Sequence, residues 1–197
     1  MSRLLNQSKR FQRGPVYKFG FRVPRTPDEA ITLDNKNGNT FWQDAIALEI
    51  SQLHDYETFV DLGKNAPGPT GFKKIRVHFV FDVKHDGRHK ARRVAGGHLT
   101  DDPVDSVYSG VVSLRSLRLV IFLSELNNLT LWGADVGNAY LEAFTKEKVY
   151  IVAGKGFGKL EGHTLKMSKA LYGLKSSRLR WHEKVRRHAP PHGIRNL

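Results

Sequence analysis

The sequence predicts an α+β fold. Three observations carry that expectation: an alternating apolar run from Ile75 to Val83 followed by Asp86-Gly87, a helix-spaced stripe of Trp42, Ile46, Ile50 and Leu53, and strand-like and helix-like segments in mixed order. Strands joined by a tight turn pair antiparallel, so the expected architecture is a projecting hairpin on a base of sheet and helices.

The first helix begins at Thr26-Pro27-Asp28-Glu29, where threonine caps, proline suits the first turn and Glu29 completes a capping box. Asn37-Gly38-Asn39 ends it, and Thr40 opens a second helix whose apolar stripe reads as core. Between Gly63 and Gly71, Pro67, Gly68 and Pro69 make a breaker-rich loop. Ile75, Val77, Phe79, Phe81 and Val83 then alternate with Arg76, His78, Val80, Asp82 and Lys84, the pattern of a half-buried strand. Asp86-Gly87 turns the chain back through Arg88 to Ala95, ending at Gly96-Gly97.

Ser113 caps a further helix in which Leu114, Leu117, Val120, Ile121 and Ser124 share a face, expected to lie in the core, and Asn127-Asn128 closes it. Leu129, Leu131 and Gly133 alternate with Thr130, Trp132 and Ala134, which places Asp135 at the carboxyl end of a strand, before a Gly-Asn turn and a short helical stretch. Val149 to Val152 reads as a strand, Gly154 to Gly162 as a glycine-rich loop, and Leu165 to Met167 as a strand leading to Leu171-Tyr-Gly-Leu174.

A hydrophobic content of 40% argues against disorder, and 32 Lys and Arg against 19 Asp and Glu, a net charge of +13, favour a polyanionic partner. The excess gathers at the ends. Arg3, Lys9, Arg10, Arg13, Lys18, Arg22 and Arg25 precede any acid, and Lys175, Arg178, Arg180, Lys184, Arg186, Arg187 and Arg195 face Glu183 alone. Both ends suit phosphate tracking, or serve as solvated tails. The absence of cysteine excludes disulfides, thiolate zinc and a cysteine nucleophile, and fits an intracellular protein. The longest apolar run, Leu119 to Leu123, is far short of the roughly 20 residues of a membrane span.

Asp135, ending a strand beside a glycine turn, suits a hard cation such as Mg²⁺, although on spacing alone such a stretch is more often a turn or a helix cap. Gly154-Lys-Gly-Phe-Gly158 lacks the ending of a phosphate loop and reads as surface. His85 and His89 flank a hairpin turn and define no zinc site. Alternation sends Lys90 and Arg92 to one face of the hairpin and Arg93 to the other, either to clamp a triphosphate or as a solvated charged face.

Eight blocks occur in order: Phe41-Trp-Gln-Asp-Ala-Ile-Ala-Leu-Glu49, Val80-Phe-Asp-Val-Lys84, Asp86-Gly87, Lys90-Ala-Arg-Arg-Val-Ala-Gly-Gly97, Tyr108-Ser-Gly-Val-Val112, Ala134-Asp-Val-Gly-Asn-Ala-Tyr-Leu141, Glu147-Lys-Val-Tyr150 and Lys169-Ala-Leu-Tyr-Gly-Leu-Lys175. Together they resemble the reverse transcriptase domain of copia-type retrotransposons, from about Tyr17 to His182. The resemblance implies the fingers and first half of the palm of a right-hand polymerase. It divides the chain into a basic N-terminal extension (1–25), a partial reverse transcriptase domain (26–182) and a divergent basic tail (183–197).

The resemblance also implies roles. Asp135 matches the catalytic, metal-binding carboxylate and Val136 a backbone carbonyl ligand. Tyr140 matches the aromatic that excludes a 2′-hydroxyl. Lys84, Lys90 and Arg92 fall in the hairpin that contacts the triphosphate. On charge alone, and apart from the resemblance, Lys175, Arg178 and Arg180 of the basic far end are expected to touch nucleic acid. The implied cofactor is Mg²⁺ or Mn²⁺. The implied partners are an RNA template, an RNA–DNA hybrid, deoxynucleoside triphosphates and the remainder of the polymerase polyprotein, with no membrane, in a cytoplasmic particle or the nucleus.

The family reaction joins a primer 3′-hydroxyl to the α-phosphorus of a nucleotide through two metal ions. Its later Tyr/Phe-x-Asp-Asp carboxylates are not found in the sequence, and Asp101-Asp102, the only adjacent aspartates, precede Pro103 upstream of Asp135. The expectation is therefore a chain inactive by itself. The alternative is a basic nucleic-acid-binding protein without catalysis, or a remnant that does not fold stably. Ser176-Ser177-Arg178 and the prolines of His188-Ala-Pro-Pro-His-Gly193 depart from the family pattern, as a frameshift or a degenerate copy would produce.

Overall fold

Thr26 begins the first helix as its sequence foretells. In the computed structural model, which describes residues 14–97, 100 and 112–188, the Thr26 hydroxyl accepts the Glu29 N–H at 3.2 Å. The Glu29 carboxylate accepts the Arg25 N–H at 2.9 Å, one residue before the cap, so the capping box is displaced by one position. Helix α1 (Pro27–Asn37) stops at Gly38, whose φ of 66° lies in the left-handed region. Helix α2 (Phe41–Asp55) has no side-chain cap from Thr40. Instead the buried Asp34 carboxylate of α1 accepts the N–H groups of Trp42 and Gln43 at 3.1 and 2.9 Å, which satisfies the exposed amides and complements the helix dipole.

The strands are β1 (Val16–Lys18), β2 (Phe21–Val23), β3 (Phe59–Lys64), β4 (Lys73–Lys74), β5 (Val77–Val83), β6 (His89–Ala95), β7 (Val149–Val152) and β8 (His163–Met167). Helix α3 (Leu114–Leu126) follows β6, and α4 (Ser177–His188) follows β8. The expected hairpin forms from β5 and β6 in antiparallel register, Val77 opposite Ala95 and Val83 opposite His89, with Gly87 at φ 82° in the turn. A four-stranded sheet runs β3-β8-β7-β4, antiparallel except for the β4–β7 pair. The mixed α+β class thus holds.

Helix α2 joins two cores. Its Trp42, Ala45 and Ile46 pack with Ala30 and Leu33 of α1 and with Phe79, Phe81, Val83 and Ala91 of the hairpin. Its Leu53 packs with Ile75, Val149, Ile151, Leu165, Met167, Leu171 and Leu174 over the sheet, and Ile50 touches both groups.

The short β1–β2 hairpin has no counterpart among the expected elements. Its turn residues Phe19 and Gly20 both have positive φ, and it lies against β5, where Lys18 pairs with Asp82 at 2.5 Å and Phe21 meets the His89 ring edge-on.

Two expectations fail in the same region. Leu114, Leu117, Val120 and Ile121 of α3 are exposed, and only Ser124 of that helix is buried. Residues 129–135 form no strand, so Asp135 lies in irregular chain, and Trp132 is 92% exposed. Amphipathic periodicity marks surface suited to burial, but burial needs a facing surface and a strand needs a paired neighbour; no described residue supplies either here. Arg3, Lys9, Arg10, Arg13, Asp101-Asp102, Tyr108 to Val111 and the tail beyond His188 lie outside the described residues.

Candidate functional site

Between α2, the β5–β6 hairpin and residues 135–138 lies a cavity of about 510 Å³ lined by Glu49, Lys84, Lys90, Arg92, Asp135 and Val136 among others. The hairpin pleat explains the cationic wall. Phe79, Phe81, Val83 and their neighbours Ala91 and Arg93 turn into the core, which sends Lys90 and Arg92 to the other face. There burial and the nearby Arg92 and Lys84 push the Lys90 amine below its ordinary range. Like charges held this close favour an anion between them.

The Arg92 guanidinium sits 4.7 Å over the Tyr172 ring, and Tyr172 packs against Tyr140 at 4.9 Å. Burial raises the Tyr172 hydroxyl above its usual range, so it stays protonated and available as a donor. Tyr172 reaches this position because its own carbonyl accepts the Ala95 N–H at 2.6 Å at the end of β6. Gly173 makes the approach possible, with φ 89° and no side chain against the Ala95 carbonyl. Glu147 fixes the following turn by accepting the Ser176 N–H at 3.0 Å and its hydroxyl at 2.5 Å.

Glu49 is the acid of the cationic wall. It is buried, and its Oε1 accepts the Arg93 N–H at 2.6 Å. Burial raises its carboxyl despite that bond and the cations around it. A carboxyl with a folded-state pKa above its unfolded value contributes stability below the unfolded pKa and loses it as pH rises through the folded one. The Glu49→Gln protein is therefore expected to gain on its parent between about pH 4 and about pH 8. Urea midpoints at both pH values check this; a gap that does not change with pH contradicts it.

Of the residues singled out from the sequence, Lys84, Lys90, Arg92, Asp135 and Val136 line the cavity, and Tyr140 abuts it through Tyr172. Lys175, Arg178 and Arg180 do not line it. Lys175 donates to the Thr100 carbonyl at 2.8 Å, Arg178 is exposed on α4, and Arg180 is 6% exposed with both Glu183 oxygens within 3.0 Å. Arg180 is thus an internal ion pair, not the solvent-facing cation that its place in a basic run suggests. Glu49 and Tyr172 were missed as site residues. The available signal for Glu49 was an acid on the buried stripe of α2, between Ile46 and Leu53.

The Asp135 carboxylate and the Val136 backbone carbonyl are the oxygen donors that these two cavity-lining residues could offer an ion. Among the described residues no group of three or more acids, histidines or cysteines converges on a metal position. Mg²⁺ is often held by one or two carboxylates together with substrate phosphates, so this set fits an ion brought in with a triphosphate.

A family model described as reverse transcriptase (RNA-dependent DNA polymerase) matches residues 58–195. The Gag-Pol polyproteins of the Ty1-ER2 and Ty1-MR2 transposons of Saccharomyces cerevisiae are each 33% identical to the chain over 170 residues. The chain belongs to the copia-type reverse transcriptases. Those alignments cover 81% of it and 9% of each polyprotein, so this reverse transcriptase chain spans a small part of the curated relatives it matches. No solved structure matches it. The family match takes in β5, β6, residue 135 and the Tyr172 turn, and the elements that wall the cavity on three sides therefore belong to the reverse transcriptase region. Among the described residues no helix is long and apolar enough to cross a membrane.

Proposed function

We propose that the cavity is the nucleotide site of an RNA-directed DNA polymerase, to which this chain contributes the triphosphate clamp and one metal-binding carboxylate. The observation that carries this reading is the convergence of Lys84, Lys90 and Arg92 with Asp135 on one space.

In this reading the three cations neutralise the triphosphate of an incoming deoxynucleotide and orient it along β6. Asp135 and the Val136 carbonyl would hold Mg²⁺ or Mn²⁺, and a bound ion would neutralise charge on the pyrophosphate that leaves when a primer 3′-hydroxyl attacks the α-phosphorus. Tyr140, backed by Tyr172, presses on the sugar and excludes a 2′-hydroxyl by bulk. Template RNA and the growing hybrid occupy the basic surfaces. The second metal needs further carboxylates, and the sequence contains no Tyr/Phe-x-Asp-Asp.

Nucleotide binding and nucleotide incorporation test the two halves of this reading separately. In a titration of deoxythymidine triphosphate with Mg²⁺, the Lys90→Ala/Arg92→Ala protein is expected to bind about 30-fold more weakly, from two part-exposed charge contacts of about 1 kcal/mol each. Parental affinity would remove the clamp. On poly(rA)–oligo(dT) the chain alone is expected to add no nucleotide; product that disappears in Asp135→Asn would mean that the site is complete without another segment.

A further inference from the structure

Glu49 lines the cavity from α2, yet what it holds is main chain. Ala45, Leu48, Glu49 and Gln52 recur at helical spacing along the side of α2 that borders the cavity, and Glu49 is the acid among them. Its one hydrogen bond among the described residues comes from the Arg93 N–H at 2.6 Å. Burial works against its charge, while that bond and the charges of Arg92, Lys90 and Arg93 favour it. A carboxylate kept in such a place at the expense of its hydration calls for a role that a neutral side chain does not fill.

The bond matters because of where it falls on β6. The β5–β6 hairpin is a two-stranded sheet, so β6 has one edge without a partner strand. Across the hairpin the Gly96 N–H donates to the Arg76 carbonyl and the Lys84 N–H to the Arg88 carbonyl. Antiparallel alternation therefore turns the N–H groups of His89, Ala91, Arg93 and Ala95 away from β5. Among the described residues two of these have an acceptor, Glu49 for Arg93 and the Tyr172 carbonyl for Ala95. Lys90 and Arg92 precede both in the chain. The Glu49 bond, next to Arg92, is thus the tether closest to the clamp, and without it the free edge of β6 has no hydrogen bond before Ala95. A charged acceptor makes that tether about twice as strong as a neutral one. Because it grips the strand and not a side chain, it places Lys90 and Arg92 together.

We propose that Glu49 is a positioning residue of the nucleotide site: through the Arg93 main chain it fixes where β6 holds Lys90 and Arg92, and its charge moderates the pull of those cations on a triphosphate. The inference rests on the nucleotide reading of the cavity. Glu49 acts through the strand and touches no reacting atom.

Titration of the full chain with deoxythymidine triphosphate and Mg²⁺ separates the two effects. Glu49→Gln keeps the acceptor and loses the charge, whereas Glu49→Ala loses both. Glu49→Gln is expected to bind about 5-fold more tightly than the parent, because a negative charge is removed from beside the phosphates. Glu49→Ala is expected to bind about 10-fold more weakly than Glu49→Gln, since the two carry the same charge and differ in the tether. An acid that merely supports the fold would weaken binding in both variants. Glu49→Gln at or below parental affinity overturns the moderating charge, and equal affinity in the two variants overturns the tether. Hydrogen exchange of the Arg93 amide, measured without nucleotide, checks the tether independently of the site: it is expected to be at least about 10-fold faster in Glu49→Ala than in Glu49→Gln, and equal exchange overturns it. The Lys90→Ala/Arg92→Ala protein tells the two levels apart. If it binds like the parent, the nucleotide reading falls and this inference with it; if it loses affinity while the Glu49 variants match the parent, this inference falls alone.

Discussion

Trp42→Ala is expected to destabilise the protein by about 3–5 kcal/mol, the range for deleting a buried large aromatic. Trp42 is 2% exposed and lies where α1, α2 and the hairpin meet. Its ring stands edge-on to Phe81 at 5.6 Å and to His89 at 4.2 Å, so truncation leaves a cavity and strips contacts from both strands. Phe41, its chain neighbour, is half exposed and is the natural comparison. Phe41→Ala should cost less than about 1 kcal/mol. Urea unfolding of the pair decides: equal losses would mean that α2 does not pack on the hairpin through Trp42. A large loss confined to Trp42 carries a functional corollary, because α2 also presents Glu49 to the cavity and should loosen with it.

Gly173→Ala should cost about 2–4 kcal/mol, combining a positive φ with a backbone clash. At φ 89° a Cβ would overlap the Ala95 carbonyl oxygen and lie 2.8 Å from Val94 Cγ1. Neither neighbour retreats cheaply, since Ala95 is the last residue of β6 and its N–H is bonded to Tyr172. Gly71 isolates the conformational part of the cost, having φ 75° and open space around its missing side chain. Gly71→Ala is expected to lose only about 1 kcal/mol. If the two variants unfold at the same urea concentration, the close approach of the Tyr172 turn to β6 does not contribute. If they differ as expected, triphosphate affinity should fall in Gly173→Ala as well, because the turn sets Tyr172 beneath Arg92.

Local sequence specifies some elements of the fold and not others. The β5–β6 hairpin was legible because alternation, β-branched and aromatic residues and an Asp-Gly turn all act within about twenty residues of each other. The limits of α1 were legible for the same local reason, through Thr26 and Gly38. Strands β3 and β4 were not. Phe59–Lys64 has little alternating burial and Lys73–Lys74 is two residues long, and each is a strand only because β8 or β7 offers it a ladder. The α3 segment errs in the opposite sense, with a strong local pattern and no facing surface among the described residues.

The site divides along the same line. The amino-acid order by itself determined the hairpin, the split of Lys90 and Arg92 from Arg93, and the blocks that resemble a reverse transcriptase, because pleat and block order are properties of the chain. Only the tertiary structure decided that Asp135 shares a cavity with those two cations, that Glu49 is buried beside them, that Arg180 faces Glu183, and that Arg93 lies between Phe79 and Phe157. Those outcomes depend on which distant segments pack together, and packing is set by shape and burial over the whole core, which no local period encodes.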